Sequence, residues 1–547
     1  MSVDEMDDIK VIQADVQYDS SGDQKSVSSD DALLMSMGKA PELKRVYNFW
    51  TLCAYQVMMM CSWSCNVVLY STVFDIGGPM AMVWGTLIVA VGQTLLMVSL
   101  AEFCSIWPTA GGQQYYTQAL ATGRFRPFLS YLVGWAVLVG EISTGSSCAL
   151  NSAQVIASFV EITHPDFVWK PWLTWVVYSV FLVGPIVQNL APKYLPALNV
   201  LGAFWTIGGG LAWAISFLVL APKKSSGFVF KMFINNTGYT SKPWVFILSF
   251  YTPMYGLYGT DGMMHLVEEM KDASRQAPRV MVWSMIFCSV TSWASAILML
   301  FCAGDYENYM LASQPYMNWF IDTYHSTYGG GVFCALVMIG LNYFIVVGTN
   351  TAGSRLAWSM ARDRAFPYSS YFATVNKRFG IPLRAMIAIL VIDLIIGLIV
   401  LGSDYAFQAI ISGGGVTLQV GYVTPIIIVL VRGRKILPAR PNFDLGRWGY
   451  LINIVSVCWS LMMIVMFSFP MYVPVNVVNI SYMNWSILIV GATIIFPGVW
   501  WVWKARHVYI KEGNSVLEDN VVVIEGIIIF SPATSSTLFA SALLAKS

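Results

Sequence analysis

A chain of 547 residues that is 56% hydrophobic and only 11% charged is not a soluble domain, which carries roughly 25% charged residues. The net charge of +1 points to no particular partner, and the nine cysteines all fall in or beside apolar stretches, which is neither a disulfide framework nor metal-ligand spacing. The composition reads as an all-α polytopic membrane protein with the lipid bilayer as its solvent.

The first 46 residues hold ten acids, five bases and many serines. Without an early apolar core they read as a disordered cytoplasmic tail and not as a cleavable signal. Spanning helices need ~20 apolar residues. Stretches of that length lie near 47–73, 80–100, 129–160, 172–191, 194–220, 243–266, 280–303, 330–355, 385–402, 404–431, 450–470 and 484–503. These twelve make a domain over 47–503, followed by a tail over 504–547. With both termini inside, the inner segments hold 26 lysines and arginines and the outer loops five, so the positive-inside rule places both tails in the cytoplasm. The sequon Asn235-Asn236-Thr237 then lies in an outer loop.

A charge inside a span is costly, so each one marks a candidate site. Glu102, at the inner end of span two, reads as a gate or loop anchor. Glu141 lies mid-span in a small, polar stripe with Gly134, Gly145, Cys148 and Ser152. Three roles stay open for it: holding a cationic substrate, carrying a proton, or packing as a protonated carboxyl. Cys61 and Cys65, one turn apart in span one, read as a small-residue packing face. Gly256, Gly259 and Gly262 follow Pro253 inside span six, and each costs ~1 kcal/mol against alanine in a helix. Together they predict a break, with Asp261 capping the second half-helix and His265 one turn on. Glu268, Glu269, Lys271, Asp272, Arg275 and Arg279 then form a cytoplasmic turn with structural or gating charges. Asp393, alone in an apolar run, reads as a hydrogen-bonded structural acid. The terminal "VVVIEGIIIF" is too short to span.

"VGEISTGS" (139–146) in span three and "VGTNTAGS" (347–354) in span eight share a pattern, which makes those spans symmetry mates of a duplicated fold. No phosphate-binding loop, metalloprotease motif or nucleophile elbow is present in the sequence. The reading is therefore a non-enzyme without cofactor, metal site or nucleic-acid partner, and secondary transport remains.

Several stretches carry a resemblance: "GGPMAMVWG" (77–85), "SLAEFCSIWPTAGGQ" (99–113), "LSYLVGW" (129–135), "FINNTG" (233–238), "YGTDGMMHLVEEMKDASRQAPRVM" (258–281), "GSRLAWSMARDRAFP" (353–367) and "LGRWGYLINIVSVCW" (445–459). Over residues 45–505 the chain resembles the fungal family of choline and GABA permeases, within the amino acid/polyamine/organocation superfamily. The resemblance implies a five-plus-five inverted repeat plus two extra helices, with discontinuous helices one and six around the substrate. It also implies proton-coupled uptake of a small amino acid, choline or related amine. The plasma membrane is the expected location. Carried over by motif, Ser62 and Trp63 fall in the span-one site region. Gly259, Asp261, His265, Glu268 and Glu269 fall in the span-six motif. Ser354, Arg355, Trp358, Arg362 and Asp363 fall at the inner end of span eight. The chain departs from its relatives at Tyr258-Gly259-Thr260-Asp261, at "VMMMCSWSCNVV" and at Glu141, which leaves the substrate open. A cage of Trp63, Tyr255 and Tyr258 with Glu141 would suit an amine, against the plainer reading that the rings fill the bundle. The alternative function is a nutrient sensor with the same fold.

Overall fold

The computed structural model describes residues 28–312, 314–402, 404–438, 442–476 and 483–510, with only the backbone of 404–412, 521–524 and 527–530. The remainder of both expected tails lies outside the described residues. Two compact units emerge, one over Leu43–Arg506 and one from the two chain ends. In the second, Ser28 caps a helix over Ser29–Ser36, so part of the stretch expected to be disordered is helical. The apolar C-terminal stretch pairs with itself, Val521–Ile524 running antiparallel to Ile527–Phe530.

The larger unit is helical, and among the described residues ten helices are long and apolar enough to cross a membrane. They coincide with the expected spans two to five and seven to twelve; span two, for example, is Gly78–Ile106 and span three Arg126–Thr163. The expected spans one and six are the exceptions, because each is broken.

Span one begins with a reciprocal cap. Thr51 N donates to Asn48 Oδ1 at 3.0 Å and Asn48 N donates to Thr51 Oγ1 at 2.9 Å, which satisfies two otherwise free donors. The helix runs Phe49–Met60 and ends where Cys61 turns left-handed at φ 39°. It resumes as Ser62–Val68 and Tyr70–Asp75. Cys61 is thus the joint itself, and the shared helix face expected for Cys61 and Cys65 does not exist. Span six runs Lys242–Leu248 and Tyr251–Tyr255, unwinds, and resumes as a 3₁₀ turn over Gly262–Glu269. Gly259 takes φ 76°, a conformation that favours glycine.

The two breaks face one another. A Cβ on Gly256 would come within 3.1 Å of the Ser62 carbonyl oxygen, and one on Gly262 within 2.3 Å of Met59 Sδ. Spans three and eight, the latter Thr327–Arg362, cross where their shared motif lies. A Cβ on Gly145 would meet Thr349 Oγ1 at 3.0 Å, and one on Gly353 would meet Glu141 Cβ at 3.6 Å. Each motif thus presses its seventh residue against the third residue of the other, which is an antiparallel, two-fold contact. The glycine triplet 413–415 of span ten works similarly, letting Ile489, Ser143 and Tyr258 approach in turn.

Gly262→Ala should destabilise the purified protein by about 1–3 kcal/mol through overpacking. Adding Met59→Ala should recover most of the loss, which thermal unfolding of both variants in detergent checks.

Candidate functional site

Unwinding a helix inside the bundle frees backbone groups that must find partners. In span six they find Gln56 of span one. Its Nε2 donates to the Gly259 carbonyl at 2.7 Å, and its Oε1 accepts from Met263 N at 3.3 Å. Tyr55, one residue earlier, donates from Oη to the Gly348 carbonyl of span eight at 2.9 Å.

Asp261 holds the cap position just before the resumed turn, but its side chain makes no cap bond. The expected capping role is therefore corrected. Asp261 Oδ1 instead accepts from Tyr422 Oη of span ten at 2.5 Å, and Oδ2 accepts from Gln113 Nε2 at 3.2 Å. Cross-element donors hold this carboxylate because a 3₁₀ turn offers a poor cap and the donors lie ready on neighbouring helices. His265 Nε2 stands 3.6 Å from Asp261 Oδ2, and His265 Nδ1 lies 2.8 Å from the Ala110 carbonyl oxygen. Glu141 completes the group: an oxygen of each carboxyl and a ring nitrogen of His265 lie within 4.8 Å of one another. All three residues are buried.

A cavity opens beside the breaks, lined by Met59 and Met60 from span one, Tyr255, Tyr258 and Gly259 from span six, and Ser147 from span three. Tyr255 Oη hydrogen-bonds Ser147 Oγ, while Tyr258 Oη meets no partner among the described residues. Thr260 is buried next to Asp261. Trp63 lies apart: it stacks on Trp213 with ring centroids 5.3 Å apart and donates to the Thr206 carbonyl at 3.0 Å. The three-ring cage is thereby reduced to Tyr255 and Tyr258. Glu141 lines a second, smaller cavity with Thr349, Asn350, Gly353 and Asp393. Asp393 is anchored there by Ser146 Oγ at 2.7 Å, in keeping with a structural acid.

The charged turn after the break locks to span eight. Arg362 Nη2 and Nη1 donate to the two oxygens of Glu268 at 2.6 and 3.2 Å. Thr109 Oγ1 and Ala110 N also donate to Glu268 Oε1, at 3.0 and 2.9 Å. Arg355 Nε donates to Glu269 Oε1 at 2.7 Å and Nη1 to Ser354 Oγ at 3.2 Å. Asp363 accepts from Gln114 Nε2 at 2.9 Å, and the Arg362 guanidinium lies 3.8 Å from the Trp358 ring centre. Glu102 belongs to another contact: Arg434 Nη2 and Leu445 N donate to its Oε1 at 2.7 and 3.1 Å. It thus anchors span two to the loop before span eleven.

Gln56, Gln113, Ala110 and Tyr422 escaped the sequence reading. The first two are polar residues of a span and of a motif, which were signals; the alanine and the tyrosine carried none.

These features define a multi-pass integral membrane protein built around two broken helices. The chain belongs to the amino acid permease family, which it matches over residues 47–493. It is 28% identical to the choline transporter of Saccharomyces cerevisiae, over 85% of this chain and 82% of that one. It is 28% identical to the amino-acid permease BAT1 homolog of Oryza sativa subsp. japonica (87% and 94% covered). Amino-acid permease BAT1 of Arabidopsis thaliana is 26% identical, with 91% and 99% covered.

Removing one partner of a buried ion pair strands the other charge, at about 3–5 kcal/mol. Arg362→Ala should therefore lower the unfolding temperature clearly, and Glu268→Ala on that background should restore part of the loss. A double-mutant cycle by thermal unfolding checks the coupling.

Proposed function

We propose that the chain is a secondary active transporter, a proton symporter that imports a small amino acid, choline, GABA or a related amine. The observation that carries this reading is the meeting of the two breaks beside a cavity and the buried group of Glu141, Asp261 and His265. Broken helices are how transporters bring free backbone dipoles to polar substrates and ions inside the membrane. Tyr255 and Tyr258 offer two ring faces to an ammonium group, and Ser62, Gly259, Thr260 and Asp261 line or border the same break. The names of the relatives, a choline transporter and amino-acid permeases, bear on the substrate class.

The two broken segments, taken with the ten continuous helices, support a count of twelve spans. The reciprocal contact of the motifs in spans three and eight supports the five-plus-five inverted repeat. The lysine and arginine asymmetry, 26 against five, supports cytoplasmic termini, with the plasma membrane as the site of action. Glu268–Arg362 and Glu269–Arg355 then close the cytoplasmic side, Asp363 and Glu102 brace it, and His265 joins site to gate.

Uptake of radiolabelled choline, GABA and proline by a transporter-deficient yeast expressing the chain, at two pH values and with a protonophore, tests the reading. At least one compound should accumulate, faster at acid pH, and the protonophore should abolish it. A surface-expressed chain that accumulates none would contradict the proposal. Asp261→Asn should cut this uptake sharply with surface amount unchanged, and normal kinetics in that variant would remove Asp261 from the site.

A further inference from the structure

Two carboxyls share the buried group, and their surroundings differ. Asp261 accepts from Tyr422 Oη and Gln113 Nε2, donors that stabilise a negative charge. Glu141 is just as buried, yet neither of its oxygens meets a hydrogen-bond partner among the described residues. A charged carboxylate without donors inside the membrane is far costlier than a neutral carboxyl. Two negative charges this close, away from water, also repel strongly enough that one of them takes a proton. The donors choose which: the proton goes to Glu141, whose oxygens have none.

The imidazole beside them is oriented by one bond. The Ala110 carbonyl only accepts, so His265 Nδ1 carries a hydrogen and donates to it. Nε2 lies 3.6 Å from the Asp261 carboxyl and meets no hydrogen-bond partner among the described residues. Among the described residues, the titratable groups packed near Glu141 have partners of their own. Tyr55 of span one is committed to the Gly348 carbonyl and Tyr422 of span ten to Asp261. Asp393 of span nine, across the smaller cavity, accepts from Ser146. Span eight lines that cavity with Val346, Thr349, Asn350 and Gly353, none of them titratable.

We propose that Glu141 is the residue that carries the coupling proton, beside the donor-held carboxyl of Asp261 and the His265 ring. On loading, a proton from the aqueous side forms an O–H bond at the Glu141 carboxylate. On release that bond breaks, the proton leaves to water and the negative charge returns to Glu141. Ala110 links this event to the cytoplasmic lock, since its carbonyl holds His265 and its amide donates to Glu268. Glu141 is thereby separated from substrate binding, in agreement with its place in the smaller cavity and not in the one lined by Tyr255 and Tyr258. This assignment rests on the symporter reading above.

Infrared difference spectroscopy of the purified full-length protein in lipid, between mildly acid and alkaline pH, reads the proton without any substrate. The wild type should show a titrating carboxylic-acid carbonyl band that Glu141→Gln removes. Asp393→Asn should leave that band in place, and Asp261→Asn should shift it without removing it. A band that survives Glu141→Gln, or that only Asp261→Asn removes, overturns the proposal. Glu141→Asp, which keeps the carboxyl, should retain a shifted band and guards against a variant that fails to fold. In proteoliposomes loaded with a compound from the uptake panel, Glu141→Gln should keep substrate exchange and lose accumulation driven by a proton gradient. Loss of exchange as well would make Glu141 a substrate ligand. A wild type that shows the band but no proton-driven uptake would sink the symporter reading and leave the protonation of Glu141 standing.

Discussion

The amide of Gln56 is the contact on which the architecture turns. A helix cannot be opened inside a membrane unless its freed backbone groups are satisfied, because no water is there to do it. Span six exposes the Gly259 carbonyl and the Met263 N–H, and Gln56 meets both from span one. Left unmet, each would cost about 1–3 kcal/mol. One side chain thus makes the break in span six depend on the position of span one, which is broken at Cys61 one turn later. The two breaks form a single joint, and the close approaches at Gly256 and Gly262 leave it no room to slide.

A second chain of contacts leads from that joint to the Arg362–Glu268 pair. The stretch 107–118 lies between them: Gln113 donates to Asp261, Gln114 to Asp363, and Ala110 touches both His265 and Glu268. Its helix, Gln113–Leu120, is buried along most of its length. The site and the Arg362–Glu268 pair therefore share one rigid intermediary. Ala110 alone bonds both His265 and Glu268, so a shift at either reaches the other through a single residue.

Much of the fold was legible because hydropathy over ~20 residues is a strong signal. The ten continuous helices appeared where the apolar runs lay, and the three glycines with Pro253 foretold the unwinding of span six. The break in span one was legible only through resemblance, since "MMMCSWS" contains no glycine or proline and Cys61 adopts its left-handed turn under tertiary constraint. The candidate site was legible in its acids and histidine, which are too costly to be idle in a span. Its supporting donors were not. Asp261 looked like a local cap because sequence shows neighbours along the chain, while Tyr422 is 161 residues away. Trp63 looked like a cage wall for the same reason, and it turned instead onto Trp213.

We propose that substrate sits at the joint of the two broken helices, which a cryo-electron microscopy structure of the full chain with its transported compound can test. Ligand density should be bounded by Met59, Tyr255, Tyr258 and Gly259, with span six still unwound between Tyr255 and Gly262. Density elsewhere in the bundle, or a continuous helix through residues 256–262, would contradict it.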